Sequence, residues 1–174
     1  MFLEFFDFSN IDFNIVQGLG FVAFFVGIYA FSRAQDNKLR IWQAAQNFIL
    51  ALHFYLLGSE SAAAMSFVTG IRNSISVYKN IRGVAFIFLI IYIGVGIYNF
   101  NELVDILPVI SAVLGTMAIF YLSGIKMRLT MMLSTSLWII HNTIFISIGP
   151  LLMEIIILII TARTTYKLWK SSNN

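Results

Sequence analysis

The stretch NFILALHFYLLGS, residues 47–59, places a histidine inside an apolar run. The stretch LWIIHNTIFISIG, residues 137–149, repeats that arrangement, and its histidine lies 88 positions after the first. These residues, His53 and His141, are the 2 histidines of the chain. Their matched positions predict that the chain contains two related halves, each carrying one of the two runs.

The composition indicates a membrane protein. Of the 174 residues, 59% are hydrophobic and 11% are charged, whereas soluble domains carry about 25% charged residues. A water-soluble chain of this length could not bury so much apolar surface, so lipid is its natural solvent. The chain has no cysteine, which excludes disulfides and thiolate chemistry.

Seven apolar stretches follow one another along the chain. Each is about 16–20 residues long, which lets a helix rising 1.5 Å per residue cross a hydrocarbon core of about 30 Å. We therefore predict an all-α integral membrane protein with seven transmembrane helices. The predicted spans are 13–32, 40–58, 62–79, 83–98, 104–123, 128–147 and 150–168.

The charges divide between the two ends of these spans. All 11 basic residues fall at one end, and all of the 8 acidic residues except Asp36 fall at the other. Short loops rich in Lys and Arg stay in the cytoplasm. The N-terminus is therefore predicted to be periplasmic and the C-terminus cytoplasmic, as an odd number of spans requires. The basic residues are Arg33, Lys38, Arg40, Arg72, Lys79, Arg82, Lys126, Arg128, Arg163, Lys167 and Lys170.

A weak internal repeat supports the two halves. A shift of 88 residues superposes the first three spans on the last three, and four spans then separate equivalent helices. Both copies therefore run in the same direction, as in transporters built from parallel repeats. The matched pairs are Gly27 with Gly115, Ala30 with Ala118, His53 with His141 and, after three extra residues in the second copy, Gly58 with Gly149 and Arg72 with Arg163.

The predicted domain organisation follows from this repeat. Two parallel three-helix bundles are joined by a linker helix, in a 3+1+3 arrangement. The N-terminal segment MFLEFFDFSNID has no basic region and is expected at the membrane interface rather than as a signal peptide. The predicted units are an external segment 1–12, a first bundle 13–80, a linker helix 81–99, a second bundle 100–170 and a cytoplasmic tail 171–174.

Two longer stretches resemble a known family. The run LHFYLLGSESAAAMSFVTGIRNSISVYKN and the run MRLTMMLSTSLWIIHN are similar to YgjV-type bacterial inner-membrane proteins. Trp138 and Asn142 match that family's Trp…Asn pattern. The resemblance extends over about residues 15–170 and implies a place in the bacterial inner membrane, but it names no activity.

The 3+1+3 layout also resembles the SWEET, PQ-loop and PnuC-like superfamily. That resemblance implies two three-helix bundles around a central path for sugars, vitamin precursors or amino acids, although one branch resembles a sorting receptor. The proline–glutamine signature of the superfamily is missing. Pro108 stands where a hinge proline is expected, and Gly20 is its counterpart in the first half, so these two residues are the candidate hinges.

Polar side chains recur on one face of spans 2 and 6, where lipid offers them no partner. If the bundles face each other, these side chains line a cavity for a polar solute, with Trp138 as an apolar plate. The alternative is that they form hydrogen bonds between neighbouring helices. The candidate binding residues are Gln46, Asn47, His53, Arg72, Asn73, Trp138, His141 and Asn142.

Three charged residues have two interpretations each. Arg72 lies about ten residues into span 3, where a cation is costly. It either binds an anionic group or extends its side chain toward the inner surface. Asp105 and Glu154 lie near outer helix starts, where carboxylates favour helix N-termini; a role as proton acceptor is the alternative.

We therefore predict a transporter or facilitator of a small polar metabolite in the bacterial inner membrane. The alternative is a non-transporting receptor or assembly factor. No paired carboxylates, nucleophile–base motif or metal-ligand spacing indicates an enzyme or a metal site, and no cofactor is expected. The lipid bilayer is an expected partner and nucleic acid is not, because the basic residues form no patch beyond the membrane surface. The sequence leaves room for a homo-oligomer.

The charge pattern makes the orientation testable. A reporter fused after Asn174 is expected in the cytoplasm, and one inserted at Ser59 is expected outside, because positive loops remain inside. Paired reporters that are active on opposite sides of the membrane measure this. A cytoplasmic signal at Ser59 would contradict both the seven-span arrangement and the repeat.

Overall fold

The computed structural model describes residues 13–31, 36–77, 82–122 and 124–172. This part of the chain forms seven α-helices and no strand, which confirms the predicted helical class. The predicted interfacial segment 1–12 and positions 173–174 of the predicted tail lie outside the described residues. The helices are α1 (Phe13–Phe31), α2 (Asp36–Leu56), α3 (Glu60–Ser76), α4 (Arg82–Tyr98), α5 (Ile106–Tyr121, after a 3₁₀ turn Leu103–Asp105), α6 (Gly124–Ile144) and α7 (Ile148–Ser172).

The helices differ in how apolar they are. By length and composition, Phe13–Ala30 in α1 and Ile148–Lys170 in α7 are each able to cross a membrane alone, whereas Gly83–Tyr98 and Leu103–Ala118 are shorter apolar segments. The remaining helices, α2, α3 and α6, carry most of the polar residues that turn inward. Several helices extend beyond the predicted spans, because backbone hydrogen bonds continue into the polar flanks where the apolar run has ended.

Six helices pack as a closed ring. In order around the ring, α1 packs against α2, α2 against α3, α3 against α5, α5 against α6, α6 against α7, and α7 against α1. The remaining helix, α4, packs against α3 and α5 and leaves one apolar face exposed. The ring brings the first and last helices together, with the start of α1 beside the start of α7, and polar residues face its interior.

A very close helix crossing joins α1 to α7. A Cβ atom added at Gly149 would overlap the backbone of Gly20, and one added at Gly20 would meet Cε1 of His53 at 2.8 Å. Small residues allow helices to approach this closely in membranes, where packing rather than water drives association. The candidate hinge Gly20 thus lies at this crossing. Pro108, the other candidate, is fully buried in the first turn of α5, where the missing N–H is tolerated.

The turns that precede α3 and α7 have the same backbone. Gly58 and Ile146 both have positive φ, 78° and 50°, and α3 and α7 begin at residues 88 positions apart. The predicted three-residue insertion is therefore wrong at this point, because the partner of Gly58 is Ile146 and not Gly149. The matched backbone hydrogen bonds are Leu57 to His53 with Phe145 to His141, Ser59 to Phe54 with Ser147 to Asn142, and Ala63 to Ser59 with Leu151 to Ser147.

The α1–α7 crossing leads to a stability prediction. Gly149→Ala is expected to lower the free energy of unfolding by about 1–3 kcal/mol, because the backbone that blocks its methyl group cannot rotate away. The control is Gly94→Ala in α4, where nothing lies within 4 Å of the added Cβ and helix propensity favours alanine. Thermal unfolding in detergent measures both variants. An equal unfolding temperature for the two would contradict the close crossing.

Candidate functional site

A polar cavity of about 180 Å³ lies within the helix ring. Five of the six ring helices supply its walls, and α1 does not contribute. Two charged side chains, Arg72 and Glu154, share this cavity with a set of neutral polar groups. The neutral polar groups are Gln43, Gln46, Asn47, Ser66, Thr69, Asn73, Ser111, Ser134, Thr135 and Asn142.

The cavity brings together six of the eight candidate binding residues: Gln46, Asn47, Arg72, Asn73, Trp138 and Asn142. The Gln46 amide donates to the sulfur of Met153 at 2.9 Å, which is a weak acceptor. The Asn47 amide donates to the carbonyl of Gln43 at 2.7 Å, within its own helix. Both bonds use the amide nitrogen, so neither involves the amide oxygen of Gln46 or Asn47.

Arg72 is held inside the protein and does not extend toward the inner surface. Only 6% of the residue is exposed, and its guanidinium donates to Thr116 on α5 at 2.7 Å and to Asn73 Oδ1 at 3.0 and 3.3 Å. Both partners are neutral, so nothing in these bonds compensates the positive charge. Three of the five guanidinium N–H groups are used, which leaves one on each terminal nitrogen.

Glu154 was misplaced by the sequence interpretation. It is not at the start of α7 but six residues beyond its first residue, where it faces the cavity and interacts with the Thr135 side chain. Its signal in the sequence is a lone carboxylate within the apolar run 150–160, since ionisable residues in such runs are rare. The expected capping role of Asp105 is confirmed, because its Oδ2 accepts from the N–H groups of Asn101 and Glu102 at 3.0 and 2.9 Å.

The two histidines do not line the cavity. They lie next to it, and each one bonds a residue in the other half of the chain. His53 Nε2 is 2.7 Å from the Ser147 hydroxyl, and His141 Nε2 is 2.8 Å from the Ser59 hydroxyl. Each imidazole thus bonds the serine that precedes α7 or α3 in the other half. His53 also bonds the carbonyl of Val16 through Nδ1 at 2.8 Å. We call the two imidazole–hydroxyl pairs the His–Ser bridges.

An aromatic pair separates these bridges from the cavity. The rings of Phe54 and Trp138 stack with centroids 5.4 Å apart, and both residues line the cavity. His141 lies edge-on to each of them at 5.3 and 5.5 Å. The sequence predicted that the imidazoles themselves would line the cavity, but the rings of Phe54 and Trp138 occupy that position.

Two buried polar atoms beside the cavity, His141 Nδ1 and Asn142 Oδ1, form no hydrogen bond with any other described residue, but the two side chains interact with each other. Asn142 is only 1% exposed and lines the cavity. Buried polar atoms without a partner are rare and costly, and these two adjacent side chains lie packed against each other. The described residues contain no group of three or more His, Cys, Asp or Glu able to hold a metal ion.

These features are those of an α-helical membrane protein with a cavity lined by both charged and neutral polar side chains. The chain belongs to the YgjV family of bacterial inner membrane proteins, whose family model matches residues 14–172. It is similar to the inner membrane protein YgjV of Escherichia coli (strain K12), with 31% identity over 156 residues, 90% of this chain and 85% of that protein. No solved structure matches, so the resemblance to the SWEET, PQ-loop and PnuC-like superfamily stays a prediction.

The His–Ser bridges lead to a coupling prediction. His53→Ala and Ser147→Ala are each expected to lower stability, and the double variant should lose less than the sum by about 0.5–1.5 kcal/mol, because both remove the same bond. Ser74→Ala, which removes a bond within α3, is the control and should add to His53→Ala within about 0.5 kcal/mol. Denaturation of the purified variants measures the coupling. Additive losses for His53 and Ser147 would contradict the bridge.

Proposed function

We propose that the protein transports, or facilitates the diffusion of, a small polar metabolite across the bacterial inner membrane. The observation that supports this proposal most directly is a cavity with two charged and many neutral polar side chains inside a ring of otherwise apolar helices. Charged side chains at membrane depth are costly and typically mark solute or ion paths. Such a cavity gives a polar solute the hydrogen bonds that lipid cannot provide.

We also propose the finer architecture that the sequence predicted. In it, α1–α3 and α5–α7 are parallel repeats within residues 13–80 and 100–170, and α4 is the linker within 81–99. Exchanging α1 with α5, α2 with α6 and α3 with α7 maps each packed pair of the ring onto another packed pair. The matched turns before α3 and α7 support the same relation. The pseudo-twofold axis then runs through the cavity.

A two-bundle arrangement suggests alternating access. The His–Ser bridges hold the two bundles together at the end of the cavity where α3 and α7 begin, and the stacked Phe54 and Trp138 rings lie beneath them. Opening at this end requires both bridges to separate and the stacked pair to part. With the orientation predicted from the basic residues, this end is periplasmic. Gly20 and Pro108 remain the proposed hinge positions.

Uptake or efflux by sealed vesicles separates this proposal from a receptor or assembly factor of the same fold. Purified protein is first screened against a metabolite library for ligand-dependent thermal stabilisation, since a ligand that binds only the folded state raises its stability. Compounds that stabilise the protein are then assayed for flux. Binding without flux would favour a receptor, and neither binding nor flux would contradict the proposal.

Arg72 provides the mutational test. Arg72→Lys and Arg72→Gln are expected to lower apparent affinity roughly 10-fold or more for any stabilising compound with an anionic group, because an ammonium or amide cannot reproduce the guanidinium geometry. Arg163→Gln removes an exposed cation of α7 and is the matched control. Thermal-shift titrations measure all three variants. Full ligand response in both Arg72 variants would mean that the guanidinium only joins α3 to α5.

A further inference from the structure

We infer that the solute is a small zwitterion whose anionic group binds Arg72 and whose cationic N–H group binds Glu154. This inference rests on the proposed transport function and specifies its substrate class. The notable feature is that one cavity holds both a buried cation and a carboxylate, on α3 and α7, that form no salt bridge with each other within the described residues.

The first step concerns the two charges. The bonds from Arg72 to Thr116 and Asn73, and the interaction of Glu154 with Thr135, satisfy part of the hydrogen-bonding capacity of each group without neutralising it. A charge taken out of water is costly unless an opposite charge lies nearby, and a buried carboxyl group without such a partner tends to take up a proton. Each group is therefore suited to an opposite charge that is brought in from outside.

The second step concerns the distance between the two charges. The His–Ser bridges place the beginnings of α3 and α7 at the same end of the cavity. Arg72 lies twelve residues beyond the start of α3, and Glu154 lies six residues beyond the start of α7. At 1.5 Å per residue, their Cα atoms are offset by about 9 Å along the ring axis. The two charged residues therefore lie at different levels of the same cavity, so the two ends of one solute can each meet one of them.

The third step concerns the alternatives. An anion that binds Arg72 would meet the Glu154 carboxylate in the same cavity, and a cation that binds Glu154 would meet the guanidinium, so each would be repelled at one end. A neutral solute would leave both charges without a partner. A zwitterion satisfies both charges and carries no net charge across the membrane. The small volume, about 180 Å³, favours a molecule of amino-acid size over drug-sized ligands, whose pockets start near 300 Å³.

The intervening surface suits the middle of such a solute. Ser66 projects from α3 at the level of Glu154, Thr69 lies between the levels of the two charges, and Trp138 supplies an apolar wall. An ammonium group has three N–H donors, so it can bind the carboxylate and still satisfy a second acceptor.

The experiment compares matched solutes on the full chain in detergent. The zwitterions are alanine, leucine and glutamine, each set beside its amide as the cation and its 2-hydroxy acid as the anion, with a library of neutral metabolites as reference. At least one amino acid is expected to stabilise the protein, with its singly charged analogues binding at least 10-fold more weakly. Glu154→Gln should weaken binding of the amino acid and reduce the difference in affinity between the amino acid and its 2-hydroxy acid. Arg72→Gln should reduce the difference in affinity between the amino acid and its amide. The exposed Glu60→Gln should change neither preference.

The outcomes separate the inference from the function on which it rests. Stabilisation and flux with a neutral or singly charged metabolite, but with none of the amino acids, would contradict the inference that the solute is a zwitterion. The proposed transport function would remain supported. A Glu154→Gln variant with unchanged selectivity would also overturn it. The absence of any stabilising or transported compound would contradict the proposed function itself. The wild-type comparison decides the inference even if one of the variants fails to fold.

Discussion

The arrangement of the whole molecule depends on the two His–Ser bridges. Lipid cannot satisfy an imidazole or a hydroxyl, so each must find its partner within the protein. His53 does so with Ser147 and His141 with Ser59, and each bond joins one half of the chain to the other. Because both serines directly precede a helix, the bridges hold the starts of α3 and α7 at one level. That level determines which side chains face one another across the cavity.

The two turns that carry the His–Ser bridges match in backbone, but their surroundings differ in chemistry. In the first half the carbonyl of Val16 satisfies His53 Nδ1. The residue 88 positions later belongs to the 3₁₀ turn before α5, and His141 interacts instead with the side chain of Asn142. The charges are divided in the same way, with the guanidinium on α3 and the carboxylate on α7. The cavity is therefore asymmetric, with a cation on one wall and a carboxylate on another.

Much of the fold was predictable because it depends on local properties of the chain. The lengths of apolar runs predicted seven helices, and polar residues at helical spacing identified Gln46, Asn47 and Asn142, which line the cavity. Contacts between distant residues were not predictable in this way. His53 and Ser147 are 94 positions apart. Nothing in the sequence around either residue indicates that His53 bonds Ser147 and not a molecule in the cavity. Glu154 was misplaced for a related reason, because its depth depends on where the preceding turn ends.

The turn itself could not be recognised from residue identity. Glycine is the expected residue at positive φ, and the predicted internal repeat paired Gly58 with Gly149. In the structure an isoleucine, Ile146, adopts that conformation, which is strained for a β-branched side chain. Gly149 has a different function, since it allows α7 to approach the backbone of α1.

The lengths of the helices have a consequence for the surrounding bilayer. The three helices α3, α4 and α5 have 17, 17 and 16 residues, and they pack together on one side of the ring. At 1.5 Å per residue they rise about 24–26 Å, less than a typical hydrocarbon thickness of about 30 Å. The opposite side contains α7, with 25 residues. If all seven helices span the bilayer as the sequence predicts, the lipids next to α4 must thin or the flanking side chains must reach farther, so the bilayer around the protein has an uneven thickness.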